Sequence, residues 1–139
     1  MEKIAIIYWS GSGNTQKMAE SIQEGALTTG ADVILKEVCD ADVSDIADAD
    51  IVFLGCPSMG SEELESDEFL PYFNDIKESL KDKKLGLFGS YGWGDGEWMN
   101  NWYDECLELG AQLLADGLIV NSYPSDTDIL TCIEFGKLK

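Results

Sequence analysis

Three segments of this chain place hydrogen-bonding and aromatic side chains among glycines in patterns suited to holding a small anionic, planar molecule. The first is Ser10-Gly11-Ser12-Gly13-Asn14-Thr15, which runs directly into a helical pattern. Glycines let the backbone aim its N–H groups inward, and a helix amino end carries about half a positive charge, so such a loop can cradle a phosphate. The hydroxyls of Ser10, Ser12 and Thr15 and the amide of Asn14 add donors. Two commoner phosphate loops are excluded. No Gly-Lys-Ser/Thr closes the segment, and Gln16 stands where a dinucleotide fingerprint needs its third glycine. The second segment is Gly55-Cys56-Pro57-Ser58-Met59-Gly60-Ser61-Glu62-Glu63, and the third is Ser90-Tyr91-Gly92-Trp93-Gly94-Asp95-Gly96. Trp93, alternating with glycines, has no helix face to pack on, so its indole is read as a flat wall awaiting a stacking partner. Trp98 and Trp102 lie one helical turn apart and are read as packing residues.

Absences narrow the chemistry further. The sequence has 27 acidic and 9 basic residues, a net charge of -18, and neither histidine nor arginine. That removes Ser-His and Cys-His nucleophile pairs, imidazole proton shuttles, the usual zinc sites, arginine fingers and bidentate phosphate forks. Nucleic acid and anionic membrane surfaces would be repelled, and a protein with a basic face is the natural partner. Cys39, Cys56, Cys106 and Cys132 are far apart and form no C-x-x-C pair or iron–sulfur spacing, so free thiols in a reducing cytoplasm are expected. The apolar run from Ile4 to Tyr8 is too short for a signal peptide or a membrane span.

The elements that must position the three segments follow from periodicity. Apolar runs of strand length cover Ile4–Trp9, Ala31–Val38, Ile51–Cys56 and Leu85–Tyr91, with a fifth, broken by Gly117, from Leu113 to Val120. Continuous runs of this kind suit parallel strands covered on both faces. Helical patterns lie between them at Asn14–Thr28, Glu68–Leu80, Glu97–Leu109 and Ser125–Leu138, with a weaker one at Val43–Ala47. In the last helix Ile129, Ile133 and Leu138 are expected inward. The alternation predicts an α/β fold: one domain over residues 1–139, a doubly wound, five-stranded parallel sheet between two layers of helices. In open sheets of this kind ligands bind beyond the carboxyl ends of the strands, where the three segments fall.

Together the segments resemble those of the flavodoxins, particularly the short-chain type of anaerobic bacteria. The residues that carry the likeness are Trp9 to Thr15, Met59-Gly60 with Glu62, and Gly89-Ser90-Tyr91-Gly92-Trp93-Gly94, and it extends over essentially the whole chain. The resemblance implies strand order 2-1-3-4-5 with FMN at the switch point, a placement for which flavodoxin itself is the standard illustration. It makes Ser10, Gly11, Ser12, Gly13, Asn14 and Thr15 the phosphate cradle, and Ser58, Met59, Gly60, Glu62, Ser90, Tyr91, Gly92 and Trp93 the flavin pocket. Met59 would cover one flavin face and Trp93 the other, Glu62 would accept from the flavin N3–H, and Gly92 N–H would meet the pyrimidine edge. The Gly60 carbonyl would turn toward N5 when the flavin takes up its first electron. Ser12 replaces the family's usual threonine and keeps its hydroxyl; Pro57 stands where some relatives have a serine donor, and offers neither hydroxyl nor N–H.

The function so implied is that of a low-potential one-electron carrier cycling bound FMN between semiquinone and hydroquinone. Partners would be transient redox proteins with basic faces, of the ferredoxin-type oxidoreductase kind, and the carrier itself a monomer. A glutamate- and aspartate-rich rim, formed by Glu62, Glu63, Glu65, Asp67, Glu68, Asp95 and Glu97, would steer them. An FMN-dependent NAD(P)H:quinone reductase is the alternative on the same fold, weakened by the absence of a pocket-building insertion and of an arginine for a 2′-phosphate. A receiver-like regulatory domain would need an acidic pocket after the first strand, where this chain has Tyr8-Trp9-Ser10.

Overall fold

Strand β1 (Lys3–Tyr8) is apolar from Ile4 onward because both of its faces are covered. Ile4, Ile6 and Tyr8 point into one hydrophobic cluster, and Ala5 and Ile7 into the other. The same double burial explains β3 (Ile51–Gly55), every residue of which is buried. These coordinates, a computed structural model, describe residues 2–139. The remaining elements are α1 (Asn14–Leu27), β2 (Asp32–Glu37), α2 (Val43–Ala47), α3 (Phe69–Ile76), β4 (Lys84–Tyr91), α4 (Glu97–Glu108), β5 (Gln112–Leu113), β6 (Leu118–Asn121) and α5 (Asp126–Phe135).

The sheet runs β2-β1-β3-β4-β5, with β6 also paired to β4, and every pairing within it is parallel. This is the expected order, and the switch point lies between β1 and β3, whose neighbours come from opposite directions along the chain. Register aligns the carboxyl ends: Tyr8 pairs with Gly55, and Gly55 with Phe88. The three chemically suggestive segments therefore leave the sheet side by side. One face carries Met18, Ala19, Ile22 and Ala26 of α1 with Cys132 and Phe135 of α5; the other carries Phe69, Phe73 and Ile76 of α3 with Trp98, Trp102 and Cys106 of α4.

The fifth strand departs from the expected single run. Residues Gln112–Leu113 and Leu118–Asn121 pair separately with the two ends of β4, and the chain bulges between them. Gly117 fits there because any Cβ would run into the Met99 thioether. The helix expected over 68–80 keeps regular geometry only to Ile76, and a tight 3-10 turn, Lys77–Leu80, finishes it with Leu80 still buried. In α5 the inward residues are Cys132 and Phe135, with Ile129 and Ile133 half-buried, so the stripe is rotated from the expected one. Ser125 and Asp128 cap this helix reciprocally, Ser125 Oγ accepting from Asp128 N at 3.1 Å and Asp128 accepting from Ser125 N at 2.9 Å.

Candidate functional site

At the end of β1 the first loop is folded around one hydroxyl. Ser10 Oγ accepts from Gly13 N at 3.1 Å and from Gln16 N at 3.2 Å. Gly13 is the N-cap of α1 at φ 95°, a left-handed conformation for which glycine is suited, and no side chain caps the helix there. Among the described residues the N–H groups of Ser12, Asn14 and Thr15 have no acceptor. Open donors at the positive end of a helix form an anion cradle. Gly11 matters sterically: a Cβ there would come within 2.9 Å of the Trp9 ring. The Thr15 hydroxyl is turned away from the loop. Thr15 is buried, its Oγ1 lies 3.2 Å from Ser90 Oγ, and it accepts from Ser90 N at 3.3 Å, so it stitches the first loop to the third.

The second loop leaves β3 through Cys56 and turns sharply at Met59. Met59 and Glu63 exchange two backbone hydrogen bonds of 2.8 Å each, which leaves Gly60-Ser61-Glu62 as the turn. Gly60 is left-handed at φ 52°, with nothing within 4 Å of where a Cβ would stand, and Glu62 is left-handed at φ 56°. Burial pushes the Cys56 thiol up to about 12, and its sulfur accepts from Glu65 N at 3.3 Å. The third loop, from Ser90 on, carries Trp93 with 64% of its surface exposed, while Met59 of the second loop is 37% exposed. Between the loops lies a cleft of about 360 Å³. The first loop contributes Gly11, Ser12 and Asn14 to its lining, the second Ser58 and Met59, and the third Ser90, Tyr91 and Gly92. Of the other residues singled out in the sequence, Ser10, Gly13 and Thr15 belong to the first loop without lining the cleft, Gly60 and Glu62 form the turn after Met59, and Trp93 follows the lining residue Gly92 but is not itself part of the lining.

Several residues outside the expected set of cofactor contacts also serve this site. Trp9 and Pro57 also line the cleft, and Trp9 Nε1 donates to Glu68 Oε1 at 3.1 Å. Trp98, read correctly as a packing residue, also has a positioning duty: its Nε1 donates to the Cys56 carbonyl at 3.2 Å, while its ring packs against Tyr91 at 5.8 Å between centroids. Glu65 leaves the acidic rim to which the sequence assigned it. It is only 6% exposed, and its carboxylate accepts from Asp67 N, Glu68 N and Phe69 N at 2.8 Å each. Burial pushes its acidity one way, but these three donors outweigh it and hold the carboxyl below the ordinary range. The exposed rim is therefore Glu63, Asp67, Glu68, Asp95 and Glu97, with Glu62 half-buried among them, and no lysine among the described residues pairs with any of these.

The cleft combines open backbone donors at a helix amino end, an exposed methionine in its lining, an exposed tryptophan on the adjoining loop and an acidic surround. This arrangement suits a planar aromatic group bearing a phosphate tail. The flavodoxin family profile matches residues 6–136. The chain is 46% identical over 134 residues to a flavodoxin of Megasphaera elsdenii, with 96% of each covered. It is 44% identical over 132 residues to a flavodoxin of Clostridium beijerinckii, with 95% of each covered. The solution structure of the two-electron reduced Megasphaera elsdenii flavodoxin aligns with a TM-score of 0.88 over 96% of each chain. By loop, topology and near-full-length sequence identity alike, the chain belongs to the flavodoxin family.

Proposed function

We propose that the protein carries single electrons on non-covalently held FMN, lodged beyond the carboxyl ends of β1, β3 and β4. The observation that carries this reading is the set of open N–H donors of Ser12, Asn14 and Thr15, standing at the α1 amino end beside the Met59 and Trp93 loops. Bound FMN supplies reversible one-electron chemistry. The chain's own residues bind it, orient it and exclude water. Ser10 Oγ accepts from Gly13 N and Gln16 N, which leaves its own O–H free to donate, whereas Thr15 Oγ1 is engaged with Ser90, so the phosphate falls to the free backbone N–H groups and to the Ser10, Ser12 and Asn14 side chains. Met59 and Trp93 supply the apolar faces, and a flat ring between them relieves the exposure of both. Gly92 lines the cleft, and the space where its Cβ would stand is empty.

The reductase alternative is not favoured: the near-full-length relatives are flavodoxins, which are electron-transfer proteins. Partners on this reading are redox proteins presenting lysine- or arginine-rich faces, supported by rim carboxylates without lysine partners among the described residues. A reducing cytoplasm suits its four unpaired cysteines, and no helix among the described residues is long and apolar enough to cross a membrane.

The test is to titrate apoprotein with FMN and, separately, with riboflavin, following quenching of flavin fluorescence. One FMN per chain is expected to bind, and riboflavin about a hundredfold more weakly, because several charge-assisted hydrogen bonds to the phosphate are missing. Equal affinity for the two would overturn the phosphate assignment, and no quenching by either would overturn the function.

A further inference from the structure

We propose that Glu62 is a positioning residue that latches the two walls of the cleft together, its carboxylate capping α4 from the opposite loop. Helix α4 begins after Gly96, a left-handed glycine at φ 94° that provides no side-chain cap. Its orphaned donors are met from outside: Glu62 Oε1 accepts from Gly96 N at 3.3 Å and from Glu97 N at 3.2 Å, across 34 and 35 residues of chain. A carboxylate at a helix amino end gains from the dipole as well as from the hydrogen bonds. The chain is shaped around this contact at two further places. Glu62 is held left-handed at φ 56°, a conformation unfavourable for a residue with a Cβ, and the paired backbone bonds between Met59 and Glu63 close the turn on it. Gly94 clears the path, for a Cβ there would stand 2.5 Å from Glu62 Oε1.

The consequence lies in what each end of the contact carries. Glu62 sits in the turn that begins at Met59, and Gly96 ends the loop that presents Trp93. The carboxylate therefore fixes the interval between the two hydrophobic walls before any ligand arrives. Glu62 Oε2 makes no hydrogen bond among the described residues, so capping leaves one oxygen free to face the cleft. The latch is a contact of the apoprotein; only its effect on ligand affinity rests on reading the cleft as the FMN site.

The experiment follows amide hydrogen exchange by NMR in the apoprotein and FMN affinity by fluorescence quenching in the same samples. Glu62→Ala is expected to speed exchange at Gly96 and Glu97 about tenfold or more and to weaken FMN about tenfold, whereas Glu62→Gln, which keeps an acceptor oxygen, restores exchange to within about threefold. Gly94→Ala, which leaves Glu62 in place but pushes its carboxylate aside, is expected to match Glu62→Ala at both readouts. Unchanged exchange in Glu62→Ala, or failure of the glutamine variant to rescue it, overturns the latch. Accelerated exchange with unchanged FMN affinity overturns its role in setting the walls. If the unsubstituted protein fails to bind FMN, the flavin reading falls with that positioning role, and the amide data alone decide whether the cap exists.

Discussion

Three tryptophans a few residues apart show how environment decides what one residue type does. Trp98 and Trp102 are each 2% exposed and sit in the core beneath the sheet, where Trp102 meets Phe69 edge-on at 5.4 Å and Phe73 at 6.1 Å. Trp102 Nε1 has no conventional acceptor, and these two ring contacts are its nearest described aromatic company. Trp93 is 64% exposed and contributes almost nothing to the core. Removing it should leave folding almost untouched. Trp93→Ala is expected to change the unfolding free energy of apoprotein by less than about 0.5 kcal/mol, since surface substitutions away from special features cost little. On the proposed reading the same substitution removes a stacking wall, and base–aromatic stacking of comparable area is worth about 1–3 kcal/mol, so FMN affinity is expected to fall roughly 5- to 150-fold. Trp98→Ala should instead cost about 3–5 kcal/mol of stability. Urea unfolding and flavin titration on both variants check this, and a Trp93 variant that unfolds early while binding FMN normally would refute it.

Among the elements, α3 depends on a single buried acid. The segment entering α3 offers the N–H groups of Asp67, Glu68 and Phe69, and the Glu65 carboxylate accepts from all three. A hydrogen-bonded cap of this kind is worth about 1 kcal/mol or somewhat more. Because the carboxyl is held below its ordinary value of 4.5, its contribution is complete above that pH and is lost as pH falls through the lower folded-state value. Glu65→Gln is therefore expected to cost about 1 kcal/mol at pH 7 and progressively less below pH 4.5, measured as the gap between the two unfolding curves; a gap that widens on acidification would contradict the assignment. This residue also marks where the sequence stops being legible. Apolar runs such as Ile51–Cys56 announce buried parallel strands, and glycines around Trp93 announce a loop, because both patterns are local. Nothing local distinguishes Glu65 from Glu63, which is exposed two positions away, since the difference lies in which N–H groups α3 brings round. Thr15 and Glu62 are similar cases: motif spacing brings both to the cleft, but their partners Ser90, Gly96 and Glu97 lie 34 to 75 residues away. The split fifth strand was half legible, for Gly117 marked the break and the Met99 side chain that requires it did not appear in the strand's own sequence.

At the scale of the whole molecule, a net charge of -18 invites the idea that acidity sets the redox behaviour of the site. Magnitudes argue otherwise. A surface carboxylate at ~12 Å contributes about 0.1 kcal/mol through screened water, so half a dozen together supply roughly 0.5 kcal/mol, or ~20 mV for one electron. Enclosing an anionic ring between Met59 and Trp93 costs several times more, at about 2 kcal/mol or above for a poorly solvated charge. On the proposed FMN reading the walls are therefore expected to govern the potentials, with the charge left to govern encounters. Its distribution suits that task, because Glu63, Asp67, Asp95 and Glu97 are exposed beside the Met59 and Trp93 loops and no lysine among the described residues neutralises them. Steering by such a field raises association rates by about 10- to 1,000-fold at low salt and fades as the Debye length shrinks from roughly 30 Å to 3 Å. Electron transfer from the reduced protein to a basic haem protein, followed by stopped flow, is accordingly expected to slow at least about tenfold between ~0.01 M and ~1 M salt. Glu63→Lys with Asp95→Lys should flatten that dependence while moving the potentials by no more than ~20 mV. A rate indifferent to ionic strength would leave the carboxylates as solubilising groups, and a large shift in potential on charge reversal would return control of the redox step to the rim.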